Sequence, residues 1–236
     1  MTLQVADQPA TAAEPSCYSR QINAWWCPDY LADRQDELVS ATLQHLGITA
    51  AAVVLGLLIA LPLALLARRY GALESAVLGV STGLYTIPSL ALFPLLLPFT
   101  GLTATTVVIG LALYSLTILV RNILEGLRAV PEEVRESATG LGYSPVGLLL
   151  RIELPLALPV LMAGLRIATV STVALTTVGA ILSYGGLGNL LASGVTEDFK
   201  AQIAAASVLC VLLALGLDLL LLGVQRVLTP WTRMAG

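Results

Sequence analysis

Glu136-Ser137-Ala138-Thr139-Gly140-Leu141-Gly142, followed after nine residues by Ile152-Glu153-Leu154-Pro155, is a polar, charged stretch set between long apolar segments. Its local signals describe a short helix. Pro131 suits the first helical position, and Glu132 and Glu133 fall in the first turn, where negative charge complements the helix macrodipole. Val134, Ala138 and Leu141 recur at helical spacing and make one apolar face, while Arg135, Glu136 and Thr139 fall on others. Gly140 and Gly142 can end the helix by adopting positive φ. Ser144-Pro145 then reads as the cap and first residue of a second short helix. A short amphipathic helix lying along a membrane plane has the shape of a knob that enters a partner's cleft.

The rest of the chain requires that membrane. Of 236 residues, 57% are hydrophobic and only 11% charged, whereas a soluble domain carries roughly a quarter charged residues. Five apolar segments, near 43–67, 76–98, 102–120, 157–182 and 203–224, approach or exceed the roughly 20 residues that cross a bilayer core. The second contains Pro88, Pro94 and Pro98, which predict a kink or break at its far end. The fold class expected is all-α and integral to the membrane. Residues 1–40 are expected to form a polar extracytoplasmic tail, 41–230 the membrane domain and 231–236 a cytoplasmic C-terminus.

Basic residues set the orientation, because they are retained in the cytoplasm. With the N-terminus outside, Arg68, Arg69, Arg121, Arg128, Arg135, Arg151, Arg226 and Arg233 are all cytoplasmic; only Arg20, Arg34 and Lys200 are external, and Arg166 is within the membrane. The polar loop at 122–156 then faces the cytoplasm. The tail holds six acids against two arginines and lacks the basic and apolar regions of a signal peptide. Pro9 and Pro15 predict an irregular start, and Trp25, Trp26 and Tyr30 suit the headgroup level. Cys17 and Cys27 form a disulfide if the tail faces an oxidising compartment, and otherwise stand as free thiols.

The opening stretch resembles the EAA loop of ABC-importer permeases, E-A-A-x-x-x-G, nine residues, I-x-L-P. Every spacing matches, and Ser137 stands where the pattern has an alanine. The likeness extends over about residues 40–230 to permeases for compatible solutes (glycine betaine, carnitine, choline and proline), through Thr86-Ile87-Pro88-Ser89-Leu90-Ala91-Leu92, the Leu154–Arg166 run and Gly185-Gly186-Leu187-Gly188. It does not include residues 1–35. The resemblance implies a five-helix core of the binding-protein-dependent importer type with a cytoplasmic coupling helix, in the cell membrane. It implies a second permease subunit, identical or homologous, a pair of ATPase subunits and an extracytoplasmic binding protein. Glu136, Ser137, Ala138, Gly142, Ile152, Leu154 and Pro155 would then belong to the loop that receives force from the ATPase. Permeases for other small polar solutes, such as amino acids, share such a loop.

Several chemistries are weighed against this reading. A P-loop needs a lysine to hold phosphates, and the single lysine, Lys200, follows Glu197-Asp198-Phe199; ATP and Mg are expected on the partner and no cofactor on this chain. With one histidine and no C-x-x-C pair, ligands for a metal are too few, and no basic patch points to nucleic acid. Gly79-Val80-Ser81-Thr82-Gly83 fits a nucleophile pattern, but its base would be His45, on the order of 20–30 Å away at helical rise; a small-residue helix contact is the alternative. No catalytic residue is expected. Arg166 and Asp218 lie at similar depth on the cytoplasmic side and either pair near an inner gate or act separately, the arginine snorkelling and the aspartate capping a neighbouring helix. Tyr85, Tyr114 and Tyr184 are the aromatics placed to meet a quaternary ammonium, or else to pack. Gly185, Gly186 and Gly188 are expected to form an outer gate, a docking element or a plain turn.

Overall fold

A computed structural model describes residues 15–233. Pro9 and the other residues of 1–14, and residues 234–236, lie outside the described residues. The described chain is helical, with no strand. A short helix α1 (Pro28–Asp33) leads into α2 (Gln35–Arg69), α3 (Gly71–Thr86), α4 (Ser89–Thr100) and α5 (Ala104–Arg128). The polar loop holds α6 (Glu132–Gly140) and α7 (Pro145–Leu148), then a π-helical turn (Leu149–Glu153). Then come α8 (Leu154–Thr176), a 3₁₀ turn (Thr177–Leu182), α9 (Leu187–Thr196), α10 (Lys200–Leu228) and a final 3₁₀ turn (Pro230–Arg233). Four of these stretches are long and apolar enough to cross a membrane, or five if the bent pair α3 and α4 counts as one span.

That pair bends by 105°. The break falls at Ile87-Pro88, near the middle of the expected second span, whereas Pro94 and Pro98 stay inside α4. Ile87 is extended (φ −68°, ψ 127°), as steric crowding by the following proline ring demands.

Helix α5 is central, packed against α2 on one side and α8 on the other. Ala60, Ala64 and Ala67 of α2 and Ala157 and Ala168 of α8 meet Leu116, Leu119, Ile123, Leu124 and Leu127 of α5. Small residues let these backbones approach. A Cβ on Gly56 would stand 2.1 Å from Ser115 Oγ, and one on Gly164 2.3 Å from Asn122 Cβ. The small-residue contact expected at Gly79 and Gly83 is absent from the described chain, since nothing lies within 4 Å of a Cβ at either. The close approaches run instead along α2, α5 and α8.

From Cys17 to Tyr30 the chain packs against α9 and α10 at the far end of the bundle. Cys17 and Cys27 are joined by a disulfide. The Asn23 side chain reaches the turn before α10: Nδ2 donates to Asp198 O (2.6 Å) and Oδ1 accepts from Lys200 N (3.0 Å). Tyr30 does not stand at a surface with Trp25 and Trp26. It is buried, 5.2 Å from the Phe199 ring centroid, and burial pushes its phenol up to about 12. Trp25 and Trp26 remain exposed. Among the described residues, the group close enough to hold a metal is Cys17, Cys27 and Asp29, and its two sulfurs are bonded to each other.

Candidate functional site: the polar loop and the ends of the spans

The loop helix α6 begins one residue later than the proline rule places it. Pro131 (φ −57°, ψ 141°) precedes the helix, and Glu132 and Glu133 occupy its first turn. Its end follows from one residue. Gly142 sits at φ +85°, the Gly142 N–H donates to Thr139 O (2.9 Å) and the Tyr143 N–H to Ala138 O (3.2 Å). This pair of bonds is the Schellman arrangement, with glycine in the left-handed position. Gly140 does not share that role; it is the last helical residue. The turn also carries Leu141 off the apolar face, so Ala138 is buried and Val134 half-buried but Leu141 is 80% exposed. Ser144 Oγ then accepts from Gly147 N (3.2 Å) with Pro145 opening α7, as expected.

Beyond α7 the helix widens into the π turn just before Leu154-Pro155. Pro155 has no N–H for the carbonyl of Arg151 and its ring crowds that carbonyl, which accounts for the widening there. Ile152, Leu154 and Pro155 are half-buried at the root of α8, while Glu136 and Ser137 are exposed on α6. Ser137 Oγ donates back to Glu133 O (2.7 Å), so its hydroxyl is satisfied locally, as an alanine would not need to be.

The strongest polar feature of the loop was not legible in its motif. Glu153, the variable position of I-x-L-P, is only 3% exposed. Arg68, in the last turn of α2, donates to it twice, Nη1 to Oε2 at 2.7 Å and Nη2 to Oε1 at 2.5 Å. Arg135 Nε of α6 lies 3.0 Å from Oε1, with an ion-pair distance but not the alignment of a full hydrogen bond. The second Arg135 nitrogen donates to Leu127 O in the last turn of α5. Two guanidinium groups on one carboxylate favour its charged form. The available signal was an acid beside a span whose end is otherwise rich in arginine.

Within the spans, Arg166 and Asp218 pair inside one chain. Nε donates to Oδ1 (2.8 Å) and an Nη donates to Oδ2 (2.7 Å), a bidentate bridge between α8 and α10. It lines a cavity of about 500 Å³ with Ala163, Val170 and Leu215.

The sequence profile described as the inner membrane component of binding-protein-dependent transport systems matches residues 46–234. This chain belongs to that permease family. It is 40% identical over 207 residues to the osmoprotectant import permease protein OsmW of Salmonella typhimurium, covering 85% of this chain and 96% of that one. It is 32% identical to the choline transport system permease protein OpuBB of Bacillus subtilis, covering 85% and 93%. The permease of the methionine transporter MetNI, solved in inward-facing conformations, superposes with a TM-score of 0.74 at 20% identity, covering 84% and 98%, and so shares the fold. The permease is a multi-pass membrane protein and a transport component.

Other residues singled out in this permease separate into pairs and isolated groups. Tyr85 and Tyr114 meet edge to face, centroids 5.8 Å apart, and Tyr114 Oη donates to Ile87 O, the carbonyl beside the helix break. Tyr184 has no ring contact with either among the described residues; it packs near Val107 and Leu182. Ser81 Oγ donates to Val77 O (2.8 Å) within its own helix, and the His45 ring nitrogens lie 3.1 and 3.0 Å from Gly185 O and Val173 O. No relay joins them. Gly185, Gly186 and Gly188 are buried, with backbone packed closely against each of them. A Cβ on Gly186 (φ +56°) would meet the His45 backbone at 2.6 Å.

The Arg166–Asp218 bridge yields a direct expectation. Asp218→Asn strips a charged partner from a guanidinium inside an apolar span. It should lower the melting temperature of the detergent-solubilised protein, and Asp218→Glu should restore part of it. An Asp218→Asn protein that melts as the wild type does would mean the bridge contributes nothing to stability.

Proposed function

We propose that the chain is the membrane-spanning permease subunit of an ATP-driven importer of compatible solutes. In this reading it lies in the cell membrane with the N-terminus outside and the C-terminus inside. A partner ATPase dimer carries ATP and Mg and seats α6, with Glu136, Ser137 and Gly142 at the contact, the buried Ala138 packing the helix against its own chain, and Ile152, Leu154 and Pro155 passing motion to α8. A second permease copy or homologue completes the pore, and an extracytoplasmic binding protein delivers the solute. The supporting observation is the form of α6: a short helix with an exposed polar side, ended sharply by Gly142 and rooted among the arginine-rich ends of the spans. Glycine betaine, choline, carnitine or proline is the proposed cargo, on the strength of relatives named for osmoprotectants and choline. Tyr85, Tyr114, Tyr184 and the Arg166–Asp218 pair are assigned to the translocation path or its gates, and the Gly185–Gly188 turn to the outer gate.

The reading is tested in vesicles containing the permease, its ATPase and its binding protein, loaded with ATP. Labelled betaine, choline, carnitine or proline should accumulate, and only with the binding protein present. Accumulation of an amino acid other than proline with none of these solutes moving would replace the cargo assignment with the amino-acid alternative.

A further inference from the structure

Glu153 occupies the point where four elements meet. It closes the π turn that roots α8, its carboxylate is gripped by Arg68 at the end of α2, and Arg135 of α6 stands against it while also bonding the last turn of α5. The packing around this point is open. Cavities of about 300 and 460 Å³ flank the cluster, and both are lined by Arg68, Leu148 and Glu153. Within α6 the one buried residue is Ala138, a side chain too small to anchor a helix by apolar area. Apolar contact through Ala138 and the half-buried Val134 is small, so the polar contacts of Arg135 contribute much of what holds α6 to the bundle. The bidentate Arg68–Glu153 pair is directional as well as strong and ties α2 to the root of α8; Arg135 joins α6 to that pair by its ion-pair contact with Glu153 and by its bond to Leu127 O.

We propose that Glu153 is a positioning residue for energy coupling: acting through Arg68 and Arg135, it locks the loop helix α6 to the inner ends of α2 and α8, so that a push on α6 moves these spans as one block. The proposal rests on the reading of α6 as the ATPase contact. Glu153 itself touches neither solute nor nucleotide. The π turn supplies the compliance on the other side of the lock: a widened turn ahead of Pro155 lacks the regular ladder and bends more readily than the helix beyond it. Without the ionic lock, motion of α6 is absorbed in that turn and does not reach the spans.

The test uses the complete complex of permease, ATPase and binding protein in proteoliposomes, measuring ATP hydrolysis and solute uptake on the same preparation. Glu153→Gln keeps the size of the side chain and removes its charge. It should leave the complex assembled and hydrolysing ATP, while solute moved per ATP falls by about ten-fold, within the usual range of coupling between sites. Arg135→Gln leaves Glu153 paired with Arg68, so it spares the buried carboxylate and should uncouple in the same way even if Glu153→Gln fails to fold. Spin labels at Gly140→Cys and Leu66→Cys, on a Cys210→Ser background, read the lock directly. Their separation should stay constant on ATP binding in the otherwise wild-type complex and spread in Arg135→Gln. Equal uptake per ATP in either charge variant that assembles, or a separation unchanged by Arg135→Gln, overturns the proposal. If a cross-linker at Gly140→Cys never captures the ATPase in a complex that transports, the reading of α6 fails and this proposal falls with it.

Discussion

Replacing Gly142 by leucine is expected to cut uptake roughly five- to thirty-fold while leaving the permease inserted in the membrane. The residue sits at φ +85°, a conformation that costs an L-residue with a side chain about 1–2 kcal/mol. That cost is enough to depopulate the observed turn by roughly five- to thirty-fold. The strain has a local outlet, because nothing in the described chain lies within 4 Å of a Cβ at this position. The helices of the bundle should therefore be undisturbed. What changes is the Schellman turn: the bonds from Gly142 N to Thr139 O and from Tyr143 N to Ala138 O are lost or rearranged, and α6 no longer ends where the partner would receive it. Uptake assayed beside membrane insertion and ATPase co-purification separates these effects. Uptake at the wild-type level would show that the form of this turn is immaterial to coupling.

The second large effect is expected at the opposite end of the bundle, and there it is structural. A Cβ on Gly188 would lie 2.3 Å from Thr177 O and 2.5 Å from Thr177 Cα. Both are backbone atoms and cannot rotate away. Gly188→Val must therefore separate α9 from the 3₁₀ turn at Thr177–Leu182, at the upper end of the roughly 1–3 kcal/mol usual for overpacking, or beyond it. Loss of folded protein in detergent, read as a lowered melting temperature and poor yield, is the expected result. Gly216→Ala, inside α10, is the control, since nothing lies within 4 Å of a Cβ there, and it should melt no lower than the wild type. If Gly188→Val matched that control, the close approach of α9 to this turn would not govern stability.

These two glycines illustrate which features could be read from residue order. Gly142 was recognisable because its role is local: it follows a helical run with acids at the start, and the bonds it permits connect residues five apart or fewer. Ser144-Pro145 was legible for the same reason. The pairing of Arg166 with Asp218 was one of two open alternatives, and it rested on little more than the constant rise of a helix, which places both charges at one depth. Other features depended on which helices become neighbours. Gly79 and Gly83 have the spacing of a helix contact, but the close approaches lie elsewhere, of α2 to α5 at Gly56 and of α8 to α5 at Gly164. Pro94 and Pro98 are as able to break a helix as Pro88, yet of the three the break falls at Pro88, where Tyr114 from α5 bonds the carbonyl beside it.

The amino-acid sequence by itself determined the apolar spans, their polar loop, the short helix within it and the likeness to importer permeases. These depend on hydropathy and on spacings of a few residues, and such periodicities survive without knowledge of neighbours. Only the tertiary structure decided that Glu153 is shared between Arg68 and Arg135, that Asn23 caps a helix beginning at Lys200, and that Tyr30 is buried rather than exposed. Each of those contacts joins residues far apart in the chain. Its energy depends on geometry that arises only when separate helices have packed, so no local pattern records it.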